Sequence, residues 1–133
     1  MPFVVDASVA ASWLLPDESD LRADKAFSLL AMDHARAPSL WWFEVRNLLV
    51  TNERRGRIDS LKSTRALRLL AGLPIRLDDH AGQARLLELA RRHRLTMYDA
   101  AYLELAEREG IPLATLDRQL AEGAASEGVP LIA

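Results

Sequence analysis

Apolar residues along the chain recur in two rhythms, short unbroken runs and runs spaced three or four apart, and the two alternate from end to end. Phe3, Val4 and Val5 form a run that stops at Asp6, with the small residues Ala7, Ser8, Ala10 and Ala11 behind it, which predicts a buried strand turning into a helix. Leu21, Ala26, Leu29 and Leu30 have helical spacing between Asp20 and Asp33, and Pro38 closes a short strand candidate at Arg36-Ala37. Ser39 is placed to cap a strongly apolar helix from Leu40 to about Arg55, which Gly56 can terminate. A further helix is expected from Asp59 to Ala71, where Gly72 and Pro74 stop it, followed by a strand at Ile75 to Leu77. Asp78 or Asp79 can then cap a helix through Leu86, Leu87, Leu89 and Ala90 to His93. Thr96-Met-Tyr-Asp99 has capping-box spacing ahead of Ala100, Leu103 and Ala106, and Gly110 and Pro112 break that helix. Leu113 to Thr115 is a strand candidate, Arg118 to Ser126 a last helix, and Val129 to Ile132 a final strand. Alternation of this kind predicts an α/β fold, a mainly parallel central sheet with helices on both faces, whose strand C-termini line one ligand-binding edge.

Composition narrows the class. The 133 residues suit one domain spanning 1–133, half of them are apolar, and no Pro-, Gly- or Ser-rich stretch marks a linker. There is no cysteine, hence no disulfide framework and no thiolate metal site, and the N-terminus lacks an export signal, so a cytoplasmic location is the default expectation. No apolar run approaches the roughly 20 residues a membrane span needs. Net charge is only −2, but it is unevenly distributed: residues 1–45 carry three basic and seven acidic side chains, residues 46–94 twelve and five, and residues 95–133 two and seven. A basic middle between acidic flanks suits a phosphate ligand beside a cation site, and equally suits solvated helix faces.

The acidic residues then invite two readings each. Asp6 and Asp117 both fall where a strand ends and a helix begins, which delivers both to the ligand-binding edge and also makes both ordinary N-caps. Asp99 stands at the N3 position of its capping box, an equally ordinary role. Glu44 is harder to explain as structure. At about 100° per residue it lies between Leu40, Trp41 and Leu48, on an apolar face, and a carboxylate taken out of water needs a cation, a donor or a proton. Four such groups close together would repel unless a divalent ion neutralised them, and oxygen donors suit magnesium or manganese. His34, His80 and His93 are scattered and show no zinc-ligand spacing. A Gly-rich phosphate loop, a nucleophile elbow and an Asp-x-Asp at the first strand are all missing, which leaves metal-assisted hydrolysis as the chemistry.

Val4-Val-Asp6-Ala-Ser8, Trp13-Leu-Leu-Pro-Asp-Glu18, Ala37-Pro-Ser-Leu with Glu44 and Asn47-Leu-Leu, Leu95-Thr-Met-Tyr-Asp99-Ala-Ala-Tyr102, and Leu113-Ala-Thr115-Leu-Asp117 occur in that order. Together they resemble the motifs of PIN-domain ribonucleases, specifically the VapC-type toxin half of VapBC toxin–antitoxin pairs, and no acidic position departs from the pattern. The resemblance implies a three-layer sandwich with Asp6, Glu44, Asp99 and Asp117 around one or two magnesium or manganese ions, oriented by Ser8, Asn47 and Thr115. It implies hydrolysis of an RNA phosphodiester by a metal-activated water, leaving a 5′-phosphate and a 3′-hydroxyl, and it implies both a homodimer and an antitoxin partner. Arg46, Arg54, Arg55, Arg57, Arg91, Arg92 and Arg94 become candidate RNA-backbone contacts, although arginines at helix C-termini are also stabilising by charge alone. The Leu40 helix carries Trp42, Phe43, Leu49 and Val50 away from Glu44, so either a partner covers it or it lies enclosed within the domain.

Rival readings remain. A receiver domain would need a lysine near the end of the sheet, and the only lysines are Lys25 and Lys62. A non-catalytic PIN-fold interaction module, and a PIN nuclease of RNA processing outside toxin–antitoxin systems, are the alternatives to a toxin.

Overall fold

The computed structural model describes residues 1–133. Its elements run β1 (Phe3–Val5), α1 (Ala7–Leu14), α2 (Leu21–Leu29), β2 (Ala35–Pro38), α3 (Leu40–Arg54), α4 (Ser60–Gly72), β3 (Ile75–Asp78), α5 (Gln83–His93), α6 (Met97–Glu109), β4 (Leu113–Ala114) and α7 (Arg118–Ser126). The four strands form one wholly parallel sheet in the order β3-β2-β1-β4, with Val4 paired to Arg36 on one side and to Leu113 on the other. The central strand β1 is an apolar run covered on both sides, with Phe3, Val4 and Val5 at most 1% exposed, whereas the edge strand β3 leaves Arg76 and Leu77 exposed. On one face α6 lies across β1, β2 and β4 with α5 and α7 outside it; α1, α2 and α3 group together on the other.

Several expectations change on contact with the structure. The enclosed helix is α6, not α3: every residue from Ala100 to Ala106 is buried, whereas α3 leaves Trp42, Phe43 and Val50 exposed. Small alanines at 100, 101 and 106 let α6 approach the sheet closely, so its burial follows from side-chain size as much as from apolar spacing. Val129 to Ile132 contributes one bridge, Leu113 to Leu131, rather than a strand. Leu113 donates to Pro130 O at 2.9 Å and accepts from Ile132 at 3.0 Å, but Pro130 has no N–H with which to extend the ladder back toward Ile111. Ser39 makes no side-chain cap; its hydroxyl donates instead to Asp78 O at 3.3 Å, tying the end of β2 to the end of β3. Neither Asp78 nor Asp79 caps α5, whose N-cap is Gly82. Asp78 is still strand, opposite Pro38, and its carboxylate takes Arg36 at 3.1 Å and Arg108 at 2.9 Å. Gly56 and Gly110 do follow α3 and α6 with positive φ, the left-handed turn that ends a helix at little steric cost to glycine.

No helix is long and apolar enough to cross a membrane. Because all four strands run the same way, the residues that follow them (Asp6, Ser39, and Thr115 to Asp117) share one edge of the sheet with Asp78, the last residue of β3.

Candidate active site

Asp6 sits at the centre of that edge, 5% exposed. It caps α1, accepting from Val9 N at 3.1 Å, and the same oxygen accepts from the Ser8 hydroxyl at 2.7 Å. The other oxygen accepts from the Thr115 hydroxyl. Those two hydroxyls are themselves anchored: Ser8 Oγ accepts from Leu116 N at 2.9 Å and Thr115 Oγ1 from Asp117 N at 3.0 Å, so the loop after β4 is pinned to the start of α1. Asp117 caps α7 through Leu120 N at 2.9 Å and is exposed. Capping and membership of the acidic edge are therefore compatible: at Asp117 the cap uses one carboxylate oxygen and leaves the other, and at Asp6 the second oxygen, which takes only the Thr115 hydroxyl, keeps a lone pair.

Glu44 reaches the edge from α3, half-buried, and Asp99 from the first turn of α6, where Thr96 Oγ1 accepts from Asp99 N at 3.0 Å. The four acids sense one another. Asp6, Glu44 and Asp99 are each held above the usual carboxylate range, in every case by burial first; the charge of Asp117 adds to the effect at Asp6 and Asp99, and the charges of Asp99 and Asp6 add to it at Glu44. None of the four forms an ion pair with Lys, Arg or His. Uncompensated carboxylates with no nitrogen or sulfur donor among them fit a hard divalent cation. No three of them converge closely enough to enclose an ion as they stand, so binding would require rotations of side chains such as Glu44 and Asp99.

The remaining candidates scatter. Ser8 and Thr115 both hold Asp6, whereas Asn47 is exposed and its side chain makes no hydrogen bond. Arg46 stacks on Trp42, 3.9 Å from the ring centroid. Arg57 is engaged by Asn52 and Asp17, and Arg92 by Glu88 and Glu127. Arg54, Arg55, Arg91 and Arg94 are exposed. Arg94 ends α5 with φ 54, just before Thr96 and the Asp99 helix, while Arg54 lies ten residues along α3 from Glu44, about 15 Å at the helical rise. One site residue given no role from sequence is Tyr102, 1% exposed, whose hydroxyl donates to Glu44 Oε1. Its spacing of three from Asp99, which puts both on one helix face, was the available signal.

The PIN domain matches this chain over residues 3–125, and the chain belongs to the PIN-domain family. It is similar to Ribonuclease VapC3 of Pyrobaculum aerophilum, with 38% identity over 130 residues, covering 92% of this chain and 94% of that protein. Among solved structures it resembles PAE2754 of Pyrobaculum aerophilum, with a TM-score of 0.74 and 25% identity over 99% of this chain and 84% of the other. A toxin–antitoxin complex from Klebsiella pneumoniae shares the fold, with a TM-score of 0.63 and 16% identity over 100% of this chain and 97% of that one.

Proposed function

We propose that this chain, as one domain over residues 1–133, is a magnesium- or manganese-dependent endoribonuclease, the toxin of a type II toxin–antitoxin pair in the cytoplasm, with tRNA or rRNA as substrate. The observation that carries the reading is the group of four carboxylates at the strand ends, buried or half-buried in three cases, with no basic side chain to neutralise them. Similarity to a VapC ribonuclease supports RNA as the substrate.

Asp6, Glu44, Asp99 and Asp117 are the residues that would hold the ion, with Ser8 and Thr115 fixing the direction of Asp6. When bound, the metal supplies a nucleophilic water at neutral pH and offsets charge on the phosphate and the leaving oxygen. The burial of Asp6 and Glu44 keeps bulk water from screening those charges. Arg54, Arg55, Arg91 and Arg94, all exposed, are the arginines that would draw in the phosphodiester backbone. The exposed Trp42, Phe43 and Val50, beside a groove of about 340 Å³ between α3 and α4, offer apolar surface for an antitoxin and for a second copy of the chain.

The test is cleavage of total tRNA and rRNA by the purified, antitoxin-free chain, in magnesium or manganese against EDTA, beside Asp6→Asn and Asp99→Asn. Metal-dependent cuts that both variants lose are the expected result. A folded, metal-binding wild type that cuts no RNA would replace the enzyme with a PIN-fold interaction module. Cutting without a neighbouring antitoxin gene would point to RNA processing instead.

A further inference from the structure

Glu44 and Asp99 come from helices on opposite faces of the sheet, α3 and α6, which do not pack extensively against each other. One side-chain hydrogen bond joins those two helices, from Tyr102 Oη to Glu44 Oε1, between residues 58 apart in sequence. It is also the only hydrogen bond that the Glu44 side chain makes, so Oε2 is uncommitted. A long glutamate side chain, half-buried and tethered at no other point, has several rotamers open to it, including ones that reach solvent. The Tyr102 ring has no such freedom, being 1% exposed and set within the fully buried run of α6.

We propose that Tyr102 is a positioning residue for the acidic site: its rigid phenol fixes one Glu44 oxygen and thereby leaves the other free to bind a cation beside Asp6 and Asp99. The phenol has a single hydrogen, and it is committed to Glu44, although Asp6 and Asp99 are also near enough for their charges to act on Tyr102. A purely structural role, the satisfaction of a buried hydroxyl, would need any acceptor; here the acceptor is an acid of the site whose carboxylate makes no other hydrogen bond. The inference rests on the metal-site reading above and goes beyond it by assigning the orientation of Glu44 to a residue that touches neither ion nor RNA.

Tyr102→Phe keeps the ring and removes the donor. Binding of manganese, measured by calorimetry without RNA, should weaken about tenfold, the usual effect of losing an outer partner of a ligand. Cleavage should need correspondingly more manganese and return to the wild-type rate at saturation, with melting in EDTA close to wild type. In a Glu44→Gln background, Tyr102→Phe should add no further loss of manganese affinity. Equal manganese affinity and requirement in wild type and Tyr102→Phe would overturn the assignment while leaving the metal site standing, as would an independent loss in the Glu44→Gln background. A folded wild type that binds no manganese would overturn both.

Discussion

Asp78 and Asp6 each close a strand of the same parallel sheet and each is buried, yet their surroundings are opposite. Asp78 takes two arginines, Arg108 and Arg36, and the Arg108 hydrogen bond is the main reason its carboxyl is held down at about 2. Glu104, 4% exposed on α6, shares Arg108 at 2.7 Å. Asp6 has hydroxyls and a backbone amide but no cation, and burial pushes its carboxyl up. Both groups are anchored by hydrogen bonds; only one is neutralised. Arginine compensates Asp78 and Glu104 but not Asp6, Glu44 or Asp99, and that difference is what supports the proposed cation site.

The largest stability effect should fall on the compensated side. Arg108→Met removes the shared partner and leaves Asp78 and Glu104 buried, one with a single arginine and the other with none, which should cost about 3 kcal/mol in chemical denaturation. RNA cleavage per folded molecule should not change. Thr115→Val cuts a donor to Asp6 without touching the charge balance and should reduce cleavage about tenfold, measured at fixed metal concentration. Arg54 and Arg55, changed together to alanine, should give a smaller effect still: weaker RNA binding, with the logarithmic salt slope reduced by about 2 in a titration of affinity against ionic strength.

The two groups should also part company with pH. Asp78, depressed in the folded state, contributes stability that is present above its unfolded value near 4 and is lost as pH falls through about 2. Asp6, Glu44 and Asp99, raised in the folded state, contribute in the opposite sense: in EDTA, stability should be greatest where they are protonated and should decline as pH rises past about 4. Denaturation curves across that range, repeated with magnesium, should show the ion abolishing the upper decline and leaving the acid limb alone.

Much of this was legible in the sequence because it is local. Asp, Gly and Pro punctuate nearly every element, and the position of each of the four acids relative to its strand or helix follows from runs of a few residues. What could not be read is what depends on distant partners. Ser39 and Asp78 look like caps until the pairing of β2 with β3 brings them together, 39 residues apart. Tyr102 looks like one apolar position among several until α3 arrives beside it. That α6 rather than α3 is enclosed depends on which helix has the alanines facing the sheet, and the apolar pattern alone favours α3.

Whether the uncompensated acids bind a divalent cation is decided by thermal melting of the RNA-free chain in EDTA and in increasing manganese. A melting temperature that climbs with manganese in the wild type and stays flat in Asp6→Asn is the predicted result, since an ion bound only by the folded state stabilises it by mass action. An unchanged melting temperature in a wild type that still cleaves RNA in EDTA would contradict the account.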